Sequence, residues 1–289
     1  MVSDGAHYSE YDSAMTGLLI GEAAGLMRAL GFASRHMALI GGVVPGLLVP
    51  ILDPGIEPHV GTTDLDFCLS VALVEGDTAE YEKIERCLAT AGFKAEESWR
   101  WRGGADGRII VEFFCPVGPG RVPGKLFRPS GEGLSRARRN LGSKFSAMVL
   151  SVGDLMSRDI QEVRREVSLP KGKGRATVSL RVTGPTAFLA AKAAALRERN
   201  KSKDSYDIIW LLDAWPQGPT ELARTVSRSG FFSEPIVEET LVTLEDHFGN
   251  ADRAGAIAYA RFLSGSGEEP DRLVLHAVGA VREFLRAVR

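Results

Sequence analysis

The chain has few of the features that mark membrane or secreted proteins. No apolar run is long enough to cross a membrane, because Glu22 and Arg28 interrupt the stretch from 14 to 30. The N-terminus lacks the basic and apolar regions of a signal peptide. We therefore expect a cytoplasmic protein with no membrane partner.

Cysteine is scarce as well, with only three in 289 residues. Cys68, Cys87 and Cys115 show no metal-ligand spacing, which excludes a cysteine-based zinc site. Cys68 and Cys115 lie in apolar segments that are predicted to form strands. We expect all three to be reduced and buried, as in a cytoplasmic protein.

The chain also lacks a strong net charge, yet its charges are unevenly distributed. The formal net charge is −2. Residues 121–204 nevertheless contain 19 Lys/Arg against 7 Asp/Glu, including the Arg136–Arg139 cluster and the turn 171–175. This basic middle region indicates a polyanionic partner. The alternative is that these charges are scattered over several faces.

Residues 37–71 contain the most informative pattern. An apolar run ends at Gly41-Gly42, a Pro/Gly-rich loop follows, and Asp64 and Asp66 then flank Leu65 in a predicted strand. Alternate strand residues share a face, so the two aspartates lie side by side. Two interpretations are open: an edge strand with two hydrated carboxylates, or a pair bridged by a cation.

Glu112 is the single acid in the apolar run 109–114, which is predicted to return from a hairpin with residues 99–102. A buried lone glutamate is costly and usually has a partner. That partner is either Arg100 or Arg102, or a metal ion shared with other carboxylates.

The order of predicted strands and helices indicates an α/β (α+β) protein, in which a lobe with a mixed sheet is followed by an all-helical C-terminal lobe. The boundary is placed at the Thr183-Gly184-Pro185 sequence, which gives lobes of 1–183 and 184–289. Further strands are expected at 146–151, 160–169 and 175–182. Residues 116–145 are expected to form a surface excursion.

A second group of charged residues lies in the first two predicted helices of the C-terminal lobe. Lys192 sits within an Ala/Leu/Phe-rich helix, where a lysine either reaches outward to solvent or meets an anion. Asp204 and Asp207 share a face of the next helix. An acidic residue is favoured in the first turn of a helix, which explains Asp204. Asp207 lies one turn further in, where this explanation is weaker.

Ile40-Gly41-Gly42 followed by Asp64-Leu65-Asp66 resembles the nucleotidyltransferase superfamily with the DNA polymerase β-like fold. The resemblance implies a mixed-sheet nucleotidyltransferase lobe that binds Mg²⁺ and a nucleoside triphosphate. The carboxylates of Asp64, Asp66 and Glu112 would hold the metal. The phosphate-binding residues would be Gly41, Gly42, Thr62, Thr63 and Lys192.

Lys192, Leu196 and Lys203-Asp204-x-x-Asp207-Ile208 resemble the AbiEii-type branch, which includes the MenT toxins of toxin–antitoxin systems. That resemblance makes Lys192 and Asp207 a functional pair. It implies transfer of a nucleoside monophosphate to an RNA such as tRNA, with a cognate antitoxin as a further partner. Two alternatives remain open: an antibiotic-type transferase that modifies a small molecule, and a non-catalytic nucleotide-binding or antitoxin-like protein.

Overall fold

The computed structural model divides the chain into two compact units. The α/β unit comprises Ala14–Val43 and Thr62–Thr183, and the helical unit comprises Met1–Ser13, Val44–Gly61 and Gly184–Arg289. The last segment of the helical unit begins at Gly184, where the sequence pattern changes from predicted strands to predicted helices. Residues 1–13 and 44–61, which were predicted to belong to the first lobe, cluster with the helical unit. The described residues are 7–11, 13–70, 78–97, 99–104, 107–128, 145–199, 201–264, 267 and 269–289.

Nine strands in the described residues form one mixed sheet in the α/β unit. The path through the sheet is β3-β4-β5-β2-β1-β9-β8, and β7 pairs with both β5 and β6. The central strand β2 is antiparallel to β1 and parallel to β5. The strands are β1 (Met37–Ile40), β2 (Asp64–Leu69), β3 (Lys94–Ala95), β4 (Arg100–Gly103), β5 (Ile109–Pro116), β6 (Leu126–Phe127), β7 (Ala147–Leu150), β8 (Ile160–Ser168) and β9 (Arg175–Thr183).

The α-helices of the described residues follow the periodicity of the sequence. Four of the six long C-terminal helices have proline in the first turn, where its missing N–H has no intrahelical partner to lose. The helices are α1 (Ser13–Leu30), α2 (Val44–Leu48), α3 (Thr78–Ala91), α4 (Gly153–Arg158), α5 (Pro185–Glu198), α6 (Ser202–Ala214), α7 (Pro219–Ser227), α8 (Pro235–Phe248), α9 (Ala254–Phe262) and α10 (Pro270–Val288).

Aromatic side chains build the core on one face of the sheet. Phe67 of β2 stacks on Phe113 of β5 with ring centroids 5.8 Å apart. Phe145 packs edge-on against Phe113 at 4.7 Å and also contacts Tyr81 of α3 at 5.5 Å. Helix α3 therefore covers the Phe67/Phe113 face. Since successive strand residues alternate, Asp66 and Glu112 lie on the opposite face.

The predicted fold class is confirmed: a mixed α/β unit is followed by a helical C-terminal region. The predicted strands and helices also occur, with ends within three residues of expectation. Unpredicted elements are the two-residue strands β3 and β6, helix α4, and short 3-10 turns such as Gly41–Val43. Among the described residues, no helix is long and apolar enough to cross a membrane. The Arg136–Arg139 cluster lies outside the described residues.

Candidate metal and phosphate site

Strand register brings three carboxylates together in the α/β unit. Asp66 of β2 is directly opposite Glu112 of β5, and Asp64 lies two residues earlier on the same face. One ligand oxygen from each of the three lies within 4.8 Å of the others. The predicted convergence of Asp64, Asp66 and Glu112 is thus present in the fold.

Two further side chains orient this cluster. Arg100 Nε donates to Glu112 Oε1 at 2.6 Å, because the β4–β5 register places these two residues opposite each other. Thr62 Oγ1 donates to Asp64 Oδ1 at 2.6 Å. The arginine interpretation of Glu112 is therefore confirmed, with Arg100 as the partner. The same carboxylate also joins the acidic cluster, and the shared metal ion stays a prediction.

Gly41 lies directly against Asp66. Its backbone adopts φ +72°, a conformation that side chains disfavour, and it follows Ile40, which pairs with Asp66 across β1 and β2. A Cβ at position 41 would overlap Asp66 Oδ2. Glycine is needed here for two reasons, the turn and the space taken by the carboxylate. Gly42 is buried in the same turn.

The carboxylates suit a hard divalent cation such as Mg²⁺. All three donors are oxygens, which Mg²⁺ prefers at roughly 2.0–2.1 Å, so oxygens on opposite sides of one ion are about 4 Å apart. The separation of up to 4.8 Å needs only a small side-chain adjustment to reach this geometry.

Lys192, Asp204 and Asp207 belong to a buried ionic network inside the helical unit. Lys192 Nζ lies 2.8 Å from Asp204 Oδ1 and 2.6 Å from Asp207 Oδ2. Lys203 Nζ contacts the other oxygen of Asp207 at 2.7 Å. Arg199 Nε bonds Asp204 at 3.2 Å. Lys192 therefore meets anions rather than bulk water, as one of the two sequence interpretations held.

His59 completes the network, and the sequence reading did not single it out. Its Nδ1 accepts the Gly61 N–H at 3.0 Å, so Nε2 carries the proton that is donated to Asp207 Oδ1 at 2.9 Å. Tyr206 and Trp210 pack against the imidazole, with ring centroids 5.2 and 4.9 Å away. His59 and Asp207 are 148 positions apart in the sequence, so local patterns could not predict this contact.

Burial and mutual charge set the protonation states of this network. Burial alone would lower the pKa of Lys192, but the carboxylates of Asp204 and Asp207 raise it above its usual range. Burial alone would raise the pKa of Asp207, but Lys192, Lys203 and His59 hold it well below its usual range. Burial lowers the pKa of His59 to about 4, against the opposing effect of Asp207. Burial also lowers the pKa of Lys203, against the opposing charge of Asp207. Lys192, Asp204 and Asp207 are thus charged and His59 is neutral at pH 7.

The other predicted residues occupy varied positions. Thr62 is buried beside Asp64, whereas Thr63 is exposed. The expectation of buried cysteines holds for Cys68 and Cys115 but is wrong for Cys87, which is only half-buried because it lies on the outer part of α3. The prediction that Lys192 approaches the three carboxylates stays a prediction.

No protein-family model and no curated protein matches this chain. Among solved structures, the crystal structure of JHP933 from Helicobacter pylori is similar at 13% identity and a TM-score of 0.39. The match covers 96% of this chain and 94% of that one. A likeness at this level carries no argument about function.

Proposed function

We propose that this protein is a Mg²⁺-dependent nucleotidyltransferase that transfers a nucleoside monophosphate from a nucleoside triphosphate to an RNA, with tRNA as the leading acceptor. The convergence of Asp64, Asp66 and Glu112 on one sheet face, with Gly41 packed against Asp66, is the observation that carries the proposal. The resemblance to AbiEii-type enzymes is a second, independent support.

The roles of the residues follow from charge and position. Asp64, Asp66 and Glu112 would hold the metal, while Thr62 and Arg100 fix the orientation of two of these carboxylates. Bound magnesium would neutralise phosphate charge and lower the pKa of the attacking hydroxyl. The glycine turn presents backbone N–H groups at close range to a phosphate. Such positioning and charge neutralisation is most of what phosphoryl transfer requires of a protein.

Lys192 and Asp207 enter the proposal through the resemblance. In the network described above, Asp207 is held by two lysines and a histidine, so its charge is fixed and its position rigid. By the resemblance, Lys192 would supply positive charge to the nucleotide. Its other carboxylate partner, Asp204, keeps that lysine protonated throughout the physiological pH range.

The test is an assay of label transfer. Each of the four α-labelled nucleoside triphosphates is incubated with Mg²⁺, total RNA and the parent, Asp66→Asn or Asp252→Asn protein. Asp252 is an exposed aspartate of the helical unit and serves as the matched control. We expect labelled RNA with the parent and the control, and none with Asp66→Asn or without divalent metal. Equal transfer by Asp66→Asn would contradict the assignment of the site.

The acceptor is tested separately. Label that appears in small hydroxylated compounds, and not in RNA, would favour the antibiotic-type alternative. Triphosphate binding with no transfer to either acceptor would favour a non-catalytic nucleotide-binding protein.

A further inference from the structure

A basic groove lies in the α/β unit, formed by α1, α3 and the turn between β8 and β9. Its volume is about 680 Å³. Six of its lining side chains are cationic and one is acidic, Glu22. The cations come from three separate elements, so the charge surrounds the groove rather than following one helix. They are Arg28, Lys83, Arg86, Lys171, Lys173 and Arg175.

The basic surface continues beyond this groove. A second groove of about 430 Å³ shares Arg28 and adds Arg35 and Arg181, against the acid Glu162. Both grooves follow α1 where it faces the β8–β9 hairpin. The two together form a basic strip, defined here as the lining of both grooves.

Several of these cations have no acidic partner to neutralise them. Within the described part of the chain, Arg28, Arg86 and Lys173 form no ion pair. Lys171 adopts φ +57°, unusual for a residue with a side chain, and its Nζ donates to the Thr90 carbonyl at 3.3 Å. Unpaired positive charge around a groove indicates an anionic occupant.

The groove floor excludes two kinds of anionic partner. Among the described lining residues none is aromatic, so there is no platform on which unpaired bases could stack. No large exposed apolar side chain of the described chain lines either groove. An acidic peptide would lack the anchor contacts that dominate protein interfaces. A phosphate backbone needs neither feature.

The first groove lies on the side of the sheet away from the acidic cluster. Helix α3, which lines this groove, covers the Phe113 face through Tyr81 and Phe145, whereas Glu112 projects from the opposite face.

We propose that the basic strip binds the phosphate backbone of double-stranded RNA, such as a helical stem of the acceptor. The inference rests on the proposed function for its biological meaning, but it concerns binding alone. Double-stranded RNA is recognised mainly through its phosphates, its 2′-hydroxyls and its shape. The strip offers distributed positive charge and, among its described residues, no aromatic side chain, which suits recognition of a phosphate backbone rather than of unpaired bases.

The test measures the affinity of a fluorescent 12-base-pair RNA duplex by anisotropy, over a series of salt concentrations. The triple variant Arg28→Ala/Arg86→Ala/Lys173→Ala is compared with the parent. The matched control is Arg261→Ala/Arg272→Ala/Arg286→Ala, which removes three exposed arginines from the helical unit. We expect the groove variant to lose at least about tenfold in affinity at 0.1 M salt and to reduce the salt slope by about 2 to 3. The control should match the parent.

Three outcomes would overturn the inference: no duplex binding by the parent at low salt, equal losses in the two triple variants, or tighter binding of a single-stranded RNA or a polyglutamate peptide than of the duplex. Duplex binding should also survive Asp66→Asn. A protein that binds duplex through the strip and transfers no nucleotide would leave this inference standing and refute the proposed function.

A second measurement needs no charge variant. Cys87 lines the basic groove and is half-buried, whereas Cys68 and Cys115 are buried. Duplex RNA should slow maleimide labelling of Cys87 severalfold in folded protein. Labelling of Cys87 that is unaffected by saturating duplex would refute binding in this groove.

Discussion

Gly41→Ala is the substitution that most directly tests how the acidic cluster is built. A methyl group at position 41 meets two obstacles: the backbone angle of φ +72° and the carboxylate of Asp66. The first costs about 1–2 kcal/mol of unfolding free energy. The second requires Asp66 Oδ2 to move on the order of 1 Å to restore an ordinary contact distance.

Gly124→Ala is a matched control. Gly124 adopts φ +73° and has nothing within 4 Å of the position its Cβ would occupy. Both substitutions should therefore lower the free energy of unfolding by about 1–2 kcal/mol in urea titrations. Only Gly41→Ala should also displace a carboxylate from the cluster, because only its methyl group contacts Asp66.

The distinguishing assay is divalent-metal binding, measured by calorimetry with Mg²⁺ and with Mn²⁺. We expect Gly41→Ala to bind at least about tenfold more weakly, the loss typical when the surroundings of a metal site are disturbed. Gly124→Ala should bind like the parent. Equal affinities in the two variants would refute the argument that Gly41 makes room for Asp66 at a metal site.

Other expectations concern stability and thiol reactivity. Asp207→Asn should lower the free energy of unfolding by about 3–5 kcal/mol, because it leaves Lys192 and Lys203 buried with one carboxylate fewer; a loss below about 1 kcal/mol in urea titrations would contradict this. The stabilising effect of neutral His59 is complete above its ordinary pKa of 6.5 and is lost as the pH falls towards its folded pKa of about 4, a difference of roughly 3 kcal/mol. His59→Gln should therefore flatten the dependence of unfolding free energy on pH between 6.5 and 4.5, and parallel curves would count against the buried neutral imidazole. Burial raises the pKa of the Cys115 thiol to about 12 and also raises the pKa values of Cys68 and Cys87, but of the three only Cys87 is partly exposed, so it alone should react with a maleimide at pH 8 in the native state; rapid reaction of all three would show that these strands open readily.

Local sequence patterns were sufficient for most secondary structure and for part of the site. The alternation around Leu65 placed Asp64 and Asp66 on one face because strand side chains alternate regardless of what pairs with the strand. The glycine pair at 41–42 likewise marked the end of the apolar strand β1. Pro185 marked the start of helix α5.

Strand register could only come from the tertiary structure. The sequence offered Arg100 or Arg102 as the partner of Glu112, and the antiparallel pairing of β4 with β5 selected Arg100. The parallel pairing of β2 with β5 set Asp66 opposite Glu112. A shift of one residue would have turned Glu112 to the other face, and no local pattern specifies that shift.

Contacts between distant segments were also decided by the fold alone. His59 lies in a Pro/Gly-rich loop with nothing in its neighbours to indicate that it bonds Asp207. The basic strip joins cations from α1, α3 and the β8–β9 turn, which are far apart along the chain. The sequence determined which residues carry charge and which elements they occupy. Tertiary packing decided which of those charges meet, because long-range pairing depends on how whole elements assemble.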